Sequence, residues 1–402
     1  MAYRKYLNKL MSYPHRGLGT IYEHKAARYI CNQYLSLGLK AERQKFVTIY
    51  NGQWYFHLVY LVVFIASLVM LYTGHTAIAA VIYVLGFMII FEWPFSLKPL
   101  YKKIFPVYSE NVLAKLETKG AAKTLVISAH YDTPRTTSGI WIMKVFSLMI
   151  GPQLKDKHDE DLDIPIPPPF KSPLFVIYAA VCLELIAFAL KMMGSPLFIF
   201  VLTLSAILLI LLFIFIAANS FAPYVPGALD NGASVAITMG LADYFSKHRL
   251  RHFNLVFLNT GSEENVEKGM DNYVKMNKPS KRDTHFINLD TVGEKNLIAL
   301  YGEVDDVGIP NHYAEKEFKE VIALIHSDPE FAKIKTGFAP AASDSSSLSR
   351  EGYHVITSLL SVGNDGYNRN YHQKSDTLSR IDHDTLKLAE DFVIHLVETL
   401  DQ

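Results

Sequence analysis

Charge is missing from two long stretches of this 402-residue chain: no Asp, Glu, Lys or Arg occurs from Phe46 to Phe91, and none from Met192 to Leu229. Charged residues make up 19% of the whole, against roughly a quarter in ordinary soluble proteins, and those two windows make the deficit. Cysteine is almost absent. Cys31 and Cys182 cannot build a disulfide framework, and Cys182, inside an apolar run, suits a small hydrophobe in a reducing compartment. Neither sign of charge is in excess, with 39 basic and 39 acidic residues, so nucleic acid is not expected as a partner. The opening "MAYRKYLNKLMSYPHRG" lacks the apolar core of a secretion signal.

The uncharged windows are what the chain has in their place. A spanning helix needs about 20 mainly apolar residues. Tyr55 to Phe91 has room for two, divided at "YTGHT", and Pro173 to Asn219 for two more, divided at "KMMGSP". The run "LFIFVLTLSAILLILLFIFIAA" is apolar on every face, which a soluble domain could hold only by enclosing it completely. The expectation is two transmembrane helical hairpins, four spans in all, at 53–95 and 173–219. Lys40, Arg43, Lys45, Lys98, Lys102, Lys103, Lys144, Lys155, Lys157 and Lys171 flank their outer ends, whereas the tips carry only Lys191. That asymmetry predicts a multi-pass protein of the cell (inner) membrane with its soluble part in the cytoplasm. Glu184, in "YAAVCLELIAF", is either a functional or interhelical carboxylate or a protonated one packed on a neighbouring helix. Gly139 to Pro152, "GIWIMKVFSLMIGP", is too short to span and predicts a helix lying in the interface. The proline-rich "DLDIPIPPPF" after it completes a connector over 138–172.

The remaining pieces, 1–52, 96–137 and 220–402, are expected to fold together as one domain interrupted by the hairpins. Apolar segments such as "TLVISAH", "FNLVFLNT", "HFINLD" and "HVITSLL" alternate with amphipathic ones such as "GASVAITMGLADYFSKH" and "DHDTLKLAEDFVIHLVETL". This alternation predicts an α/β fold, a mixed sheet covered by helices on both faces, with a ligand site at the carboxyl ends of the strands. Those ends carry chemistry. "TLVISAH" finishes at His130, with Asp132 two residues on; "NLVFLNTGSEE" leads into Glu263 and Glu264; "HFINLD" finishes at Asp290. "GALDNGAS" puts Asp230 just before a helix, and "YNRNYHQKSDT" contains His372 and Asp376. Singly, each has an ordinary reading: a core or loop histidine, a turn acid, a helix cap for Asp230. Together, imidazole and carboxylate donors suit zinc or a similar divalent ion. Five are too many for one open site and fit two ions sharing a bridging carboxylate.

In this order the motifs resemble the M28 family of zinc exopeptidases: "HYD" at 130–132, "LDNGAS" at 229–234, "GSEE" at 261–264, "NLDTVG" at 288–293 and "YHQKSDT" at 371–377. The resemblance implies the zinc-exopeptidase fold and two zinc ions per chain, with cobalt or manganese as other candidates. It implies that His130 and Asp290 hold one ion, Glu264 and His372 the other, and that Asp230 bridges them. Asp132 would orient His130 or stiffen its site, and Glu263 would act as general base and acid. The implied activity is aminopeptidase action on short peptides. Because the second hairpin separates Asp132 from Asp230, its ends must return to the site's rim; either the zinc centre faces the bilayer and takes apolar or membrane-derived peptides, or the hairpins are only an anchor. One departure is "SDSSSL" (Ser343 to Leu348), where Asp344 is kept but Ser345 stands at a position where relatives often have histidine. Asp344, Tyr367 and Tyr371 are the candidates for contacting substrate. Two alternatives remain: a single-zinc acyltransferase of glutaminyl-cyclase type on the same fold, and a non-catalytic membrane scaffold.

Overall fold

Strands rich in Val, Ile, Leu and Phe, buried on both faces, pair only where helices cover the sheet from both sides, and this is how the polar part of the chain folds. The computed structural model describes residues 3–90, 97–137, 175–265, 268–304, 310–339, 342–364, 366 and 368–402. The expected interface helix and connector at 138–172 fall outside the described residues, as does Tyr367. The strands are β1 (Lys40–Ile49), β2 (Pro106–Leu116), β3 (Lys123–His130), β4 (Phe253–Thr260), β5 (Thr284–Leu289), β6 (Asn296–Val304), β7 (Pro310–His312), β8 (Lys335–Ala339) and β9 (His354–Val362). They form one sheet in the order β1-β2-β4-β3-β5-β9-β6-β7, with β8 also on β6. The centre, β4-β3-β5-β9, is parallel, while β1, β2, β6 and β7 include antiparallel pairings. The sheet is therefore mixed, as expected.

The chain leaves β3 for β4 on one side and later returns to β5 on the other, so the order of sheet building reverses at β3. Open α/β sheets form their ligand crevice at such a reversal, beyond the carboxyl ends of the strands. One face is packed by α1 (Tyr3–Leu10), α2 (Ile21–Ser36), α8 (Ala233–Lys247), α10 (Glu315–Ser327) and α12 (His383–Leu400). The other carries α9 (Gly269–Asn277) and α11 (Asp344–Arg350). Thr20 caps α2 by accepting the Glu23 amide, one of the orphan amides of the helix start, and the Glu23 carboxylate reaches back to the Gly19 amide, just before the cap, at 2.5 Å. Small and apolar residues bury α8 almost entirely, which fixes the loop before it against β3.

The apolar stretches fold as helical hairpins turning at Gly74 and Gly194: α3 (Gly52–Tyr72) with α4 (Thr76–Ile90), and α6 (Phe175–Met192) with α7 (Leu197–Ser220). Between them in sequence lies the short α5 (Lys98–Ile104). The hairpins share a core of their own, including Phe64, Leu68, Tyr83, Val181, Leu202 and Leu209. Lys191 Nζ bonds the Leu71 carbonyl, tying the two tips together. Glu184 is buried in this layer, with neither carboxylate oxygen hydrogen-bonded among the described residues. Among the described residues one helix, α7, is by itself long and apolar enough to cross a membrane.

The hairpin roots lie against the polar domain. Asn51 Nδ2 donates to the Ser220 carbonyl at 3.0 Å, linking the start of α3 to the end of α7. Asn265, immediately after Glu264, donates to the Ile49 carbonyl at 2.8 Å. Arg135 Nη1 donates to the Ala222 carbonyl at 2.7 Å.

Candidate metal centre

Register alone brings three of the site's acids to His130. In the sheet His130 pairs with Thr260, at the end of β4, and Ser128 pairs with Asn288, near the end of β5. Glu263 and Glu264 therefore leave on one side of the imidazole and Asp290 on the other. Asp230 arrives from the buried turn before α8 (Ala228–Gly232), in which the Asp230–Asn231 peptide is cis. It does not cap that helix, whose preceding residue is Gly232. His372 arrives from the loop after β9.

The five candidate ligands converge. His130 Nε2 lies 3.3 Å from Asp230 Oδ1 and 3.5 Å from Asp290 Oδ1. His372 Nε2 lies 3.2 Å from Asp230 Oδ2 and 3.3 Å from Glu264 Oε2. The Asp230 carboxylate thus stands between the imidazoles, one oxygen toward each. Three ligands about 2.0–2.2 Å from one tetrahedral zinc stand roughly 3.3–3.5 Å apart, whereas a charge-assisted N–H···O bond closes to about 2.7–2.9 Å. The separations match donors around an ion. His130 Nδ1, Asp230 Oδ2 and His372 Nε2 are also buried without a hydrogen-bond partner among the described residues, an arrangement native interiors rarely tolerate. By both tests the residues fit divalent metal.

Electrostatics agree. Burial should lower an imidazole pKa, but Asp290, with contacts to Asp132 and Asp230, holds His130 well above its ordinary value. At His372 burial is likewise outweighed, by Glu264 and Asp230, and the pKa is pushed up to about 10. Burial pushes Glu264 up to about 8 against the pull of His372. The acids hold protons on both imidazoles, so the pocket demands positive charge that metal ions would supply while displacing those protons.

Asp132 is 3.6 Å from His130 Nδ1, beyond hydrogen-bonding distance. Its oxygens accept the amides of Glu263 and Glu264 at 3.0 and 3.2 Å. Of the two roles expected for Asp132, stiffening the site is the one its hydrogen bonds serve. Glu263 Oε1 pairs with buried Lys268 at 3.0 Å, and burial raises its pKa against that ammonium. Asp344 opens α11, buried, and accepts the Thr260 hydroxyl at 2.5 Å. Burial and the charge of Glu263 push it to about 8. It sits behind Glu263. Tyr371 stacks on the His372 ring at 3.9 Å.

Sequence reading missed the residues that hold the ligand loops. Arg16, fully buried, donates to the carbonyls of Tyr131 (2.7 Å), Pro226 (3.0 Å) and Gly227 (2.7 Å), and its amide donates to Thr133 Oγ1 at 2.9 Å. It rivets the loop carrying Asp132 to the one carrying Asp230. Gly227 makes this approach possible: its φ is +68°, and a Cβ would meet the Asp230 carbonyl at 2.4 Å. Asp376 accepts the amides of Leu229 and Asp230 at 2.7 and 3.1 Å. Thr137 Oγ1 is 3.2 Å from His372 Nδ1, and Thr291 Oγ1 donates to Asp290 Oδ1 at 2.8 Å. Ser262, Thr291 and His372 all have left-handed backbones, costing on the order of 1–3 kcal/mol each and held only because their surroundings over-determine them. No pattern in the sequence marks Arg16.

Residues 217–397 match the sequence model of Peptidase family M28. No match was found among curated proteins. Among solved structures the chain is similar to a leucine aminopeptidase precursor from Bacteroides thetaiotaomicron, at 12% identity and TM-score 0.56, covering 99% of this chain and 96% of that one. It is similar to a Tannerella forsythia glutaminyl cyclase (14%, TM-score 0.56, covering 99% and 97%). It also resembles a Zn-dependent exopeptidase from Parabacteroides distasonis (12%, TM-score 0.55, covering 99% and 97%). At these identities the likeness is one of fold: a mixed α/β sheet flanked by helices, shared by zinc exopeptidases and glutaminyl cyclases.

Proposed function

We propose that this protein is a membrane-anchored di-zinc exopeptidase, an aminopeptidase that removes N-terminal residues from short, apolar or membrane-derived peptides. The observation that carries the reading is Asp230, with one oxygen toward His130 and the other toward His372. A carboxylate so placed would suit two ions, and one ion would need only half of it. His130 and Asp290 would hold one ion, Glu264 and His372 the other, with Asp230 shared. Such ions supply Lewis acidity, making water more acidic and polarising a carbonyl oxygen. Glu263 then takes the proton of the attacking water on the oxygen not held by Lys268, and returns it to the leaving amine. Lys268 and the amide clamp of Asp132 hold Glu263 in place while it does so.

Four spans and a cytoplasmic polar domain belong to the same proposal. Support comes from the outer faces of the helical hairpins, where Val62, Val69, Val81, Val84, Leu185, Ile199, Phe200, Ile207, Leu211 and Ile214 are exposed. Soluble monomers rarely expose contiguous apolar patches beyond a few hundred Å². The hydrogen bonds from Asn265 and Arg135 to the hairpin roots support a site close to the bilayer surface.

The test is purified full-length protein in detergent, assayed on amino-acyl fluorogenic substrates with and without chelator, with metal counted per chain. Activity lost to chelator and restored by zinc, with two ions bound at this centre, is the expected result. Glu263→Gln should retain both ions and lose about 10²–10⁴ of the rate. Cyclisation of N-terminal glutamine with a single ion bound here would replace this reading by the glutaminyl-cyclase one, and full activity in Glu263→Gln would remove the role given to that residue.

A further inference from the structure

At the opposite end of the sheet the strand register builds a second cluster of donors. His285, second residue of β5, pairs with His354, first residue of β9. In-register residues of neighbouring parallel strands project to the same face, and the rings stand with centroids 5.3 Å apart. The helix covering that face is α10, anchored beside them by the Ala314 amide, which donates to the Val355 carbonyl at 3.0 Å. Glu317, in the first turn of α10, reaches between the imidazoles: its Oε1 is 3.4 Å from His354 Nδ1 and 3.8 Å from His285 Nδ1. One donor atom from each of the three lies within 4.8 Å of the others.

From these contacts we infer that His285, Glu317 and His354 form a further metal site, taking zinc or a similar divalent transition ion and stapling α10 to the end of the sheet.

Three features separate this cluster from an ordinary ion pair. At 3.8 Å, the contact from Glu317 to His285 is too long for a hydrogen bond, while both contacts fall near the roughly 3.3–3.5 Å expected between ligands of one zinc. His285 Nε2, the ring nitrogen away from Glu317, is buried with no hydrogen-bond partner among the described residues, so no hydrogen bond fixes which edge of the ring faces the carboxylate. Burial also lowers the His285 pKa, disfavouring the charged form that an ion pair with Glu317 would need. Two nitrogens and one carboxylate select zinc, copper, cobalt or nickel over magnesium or calcium, which prefer oxygen-only shells. His354, with 40% of its side chain exposed, leaves an entry path and a fourth position for water. His285 lies five residues along β5 from Asp290, about 17 Å at strand spacing, so this ion would take no part in the chemistry at the other end.

Chelator-treated full-length protein is dialysed against zinc, and separately cobalt, and metal per chain is measured for wild type, His354→Ala and the near-isosteric Glu317→Gln. Wild type should bind one equivalent more than either variant. Zinc should raise the wild-type unfolding midpoint by more than theirs, and peptidase activity should be equal in all three. Equal metal content in wild type and both variants, or equal zinc-induced shifts, overturns the site. Should the peptidase reading alone fail, the one-equivalent difference would persist while the total fell. Should this site alone fail, activity and the ions at Asp230 would be untouched.

Discussion

Replacing Arg16 by Met tests whether the ligand loops are held by one buried fork. Three carbonyls, of Tyr131, Pro226 and Gly227, would lose their donor inside the protein. A buried acceptor left unsatisfied costs about 1–3 kcal/mol. Arg16 is also the cation nearest a run of acids: Asp376, Asp132 and Asp230 all pull its pKa up, and although burial lowers it to about 10 it stays charged at neutral pH. Removing one partner of a buried charged network costs about 3–5 kcal/mol; the two estimates overlap and count the same contacts, so about 3–5 kcal/mol is the expected loss. At about 2 °C per kcal/mol for a domain of this size, the unfolding midpoint should fall by roughly 6–10 °C. Because Arg16 joins the Asp132 loop to the Asp230 loop, zinc affinity at the main centre should also fall, by about 10–100-fold, as it does when residues behind the ligands are removed. Thermal unfolding followed by fluorescence and zinc competition against a chromophoric chelator read the two effects. Arg16→Lys keeps the charge without the fork and should fall between. An Arg16→Met protein within about 1 kcal/mol of wild type, binding zinc normally, would refute the argument.

Two further substitutions probe separate parts of the molecule. Thr137→Val removes the hydroxyl beside His372 Nδ1 and should weaken zinc binding about tenfold without unfolding the protein; an unchanged affinity in the same chelator competition would show that the loop, not the hydroxyl, sets the ring. Glu390, on α12, has its pKa raised to about 7, chiefly by burial and then by Asp391 and Asp243. The folded value lies above the unfolded one of about 4.5, so the contribution to stability is complete below about pH 4.5 and is lost as pH rises through about 7. Glu390→Gln should therefore stabilise the protein at pH 8 relative to pH 5, by about 1–2 kcal/mol after discounting for its partial exposure. Parallel stability curves for the two proteins across that range would contradict the assignment.

The central strands were legible because their apolar runs end in residues that no buried strand needs. His130 closes β3 and Asp290 follows β5, each just past the last apolar position. Helix α12 announced itself by apolar residues at helical spacing, Leu386, Ala389, Phe392, Val393, Leu396 and Val397. The right half of the sheet was not legible in the same way. β6 reads "NLIALYGEV", a short run followed by charges, and β7 and β8 are three- and five-residue strands whose pairing is decided by β6 rather than by their own pattern. Within the site, ligands could be named because each sits at a strand end or in a short motif. Of the residues that hold them, Asp132 and Asp376 lie inside those motifs, but Arg16 does not. Arg16 acts from before α2 on loops 115 to 211 positions away, and a separation of that size leaves no local periodicity to detect. Asp132 shows the same limit from the other side: its neighbour in sequence is His130, but its hydrogen bonds cross to β4's exit loop.

The proposed place of the bilayer follows from the same contacts that build the site. Each hairpin is spliced into the polar domain next to a ligand-bearing loop. Ile49, the last residue of β1 before α3, is bonded by Asn265, one residue past Glu264. Pro134 and Thr136, between Asp132 and the second hairpin, are bonded to Val225 and Pro223 at that hairpin's return. A hairpin used only as an anchor could be inserted in any exposed loop, and loops far from the site tolerate insertion best. Insertion at both of these points places structural demands on loops that must also hold ligands to within a fraction of an ångström. That cost is balanced if the proximity itself is used, with the lipid-facing helices delivering apolar peptides to the metal pair. On the proposed reading the hairpins would be part of the binding site, and their tips, tied by Lys191 to Leu71, would keep the two roots in fixed relation.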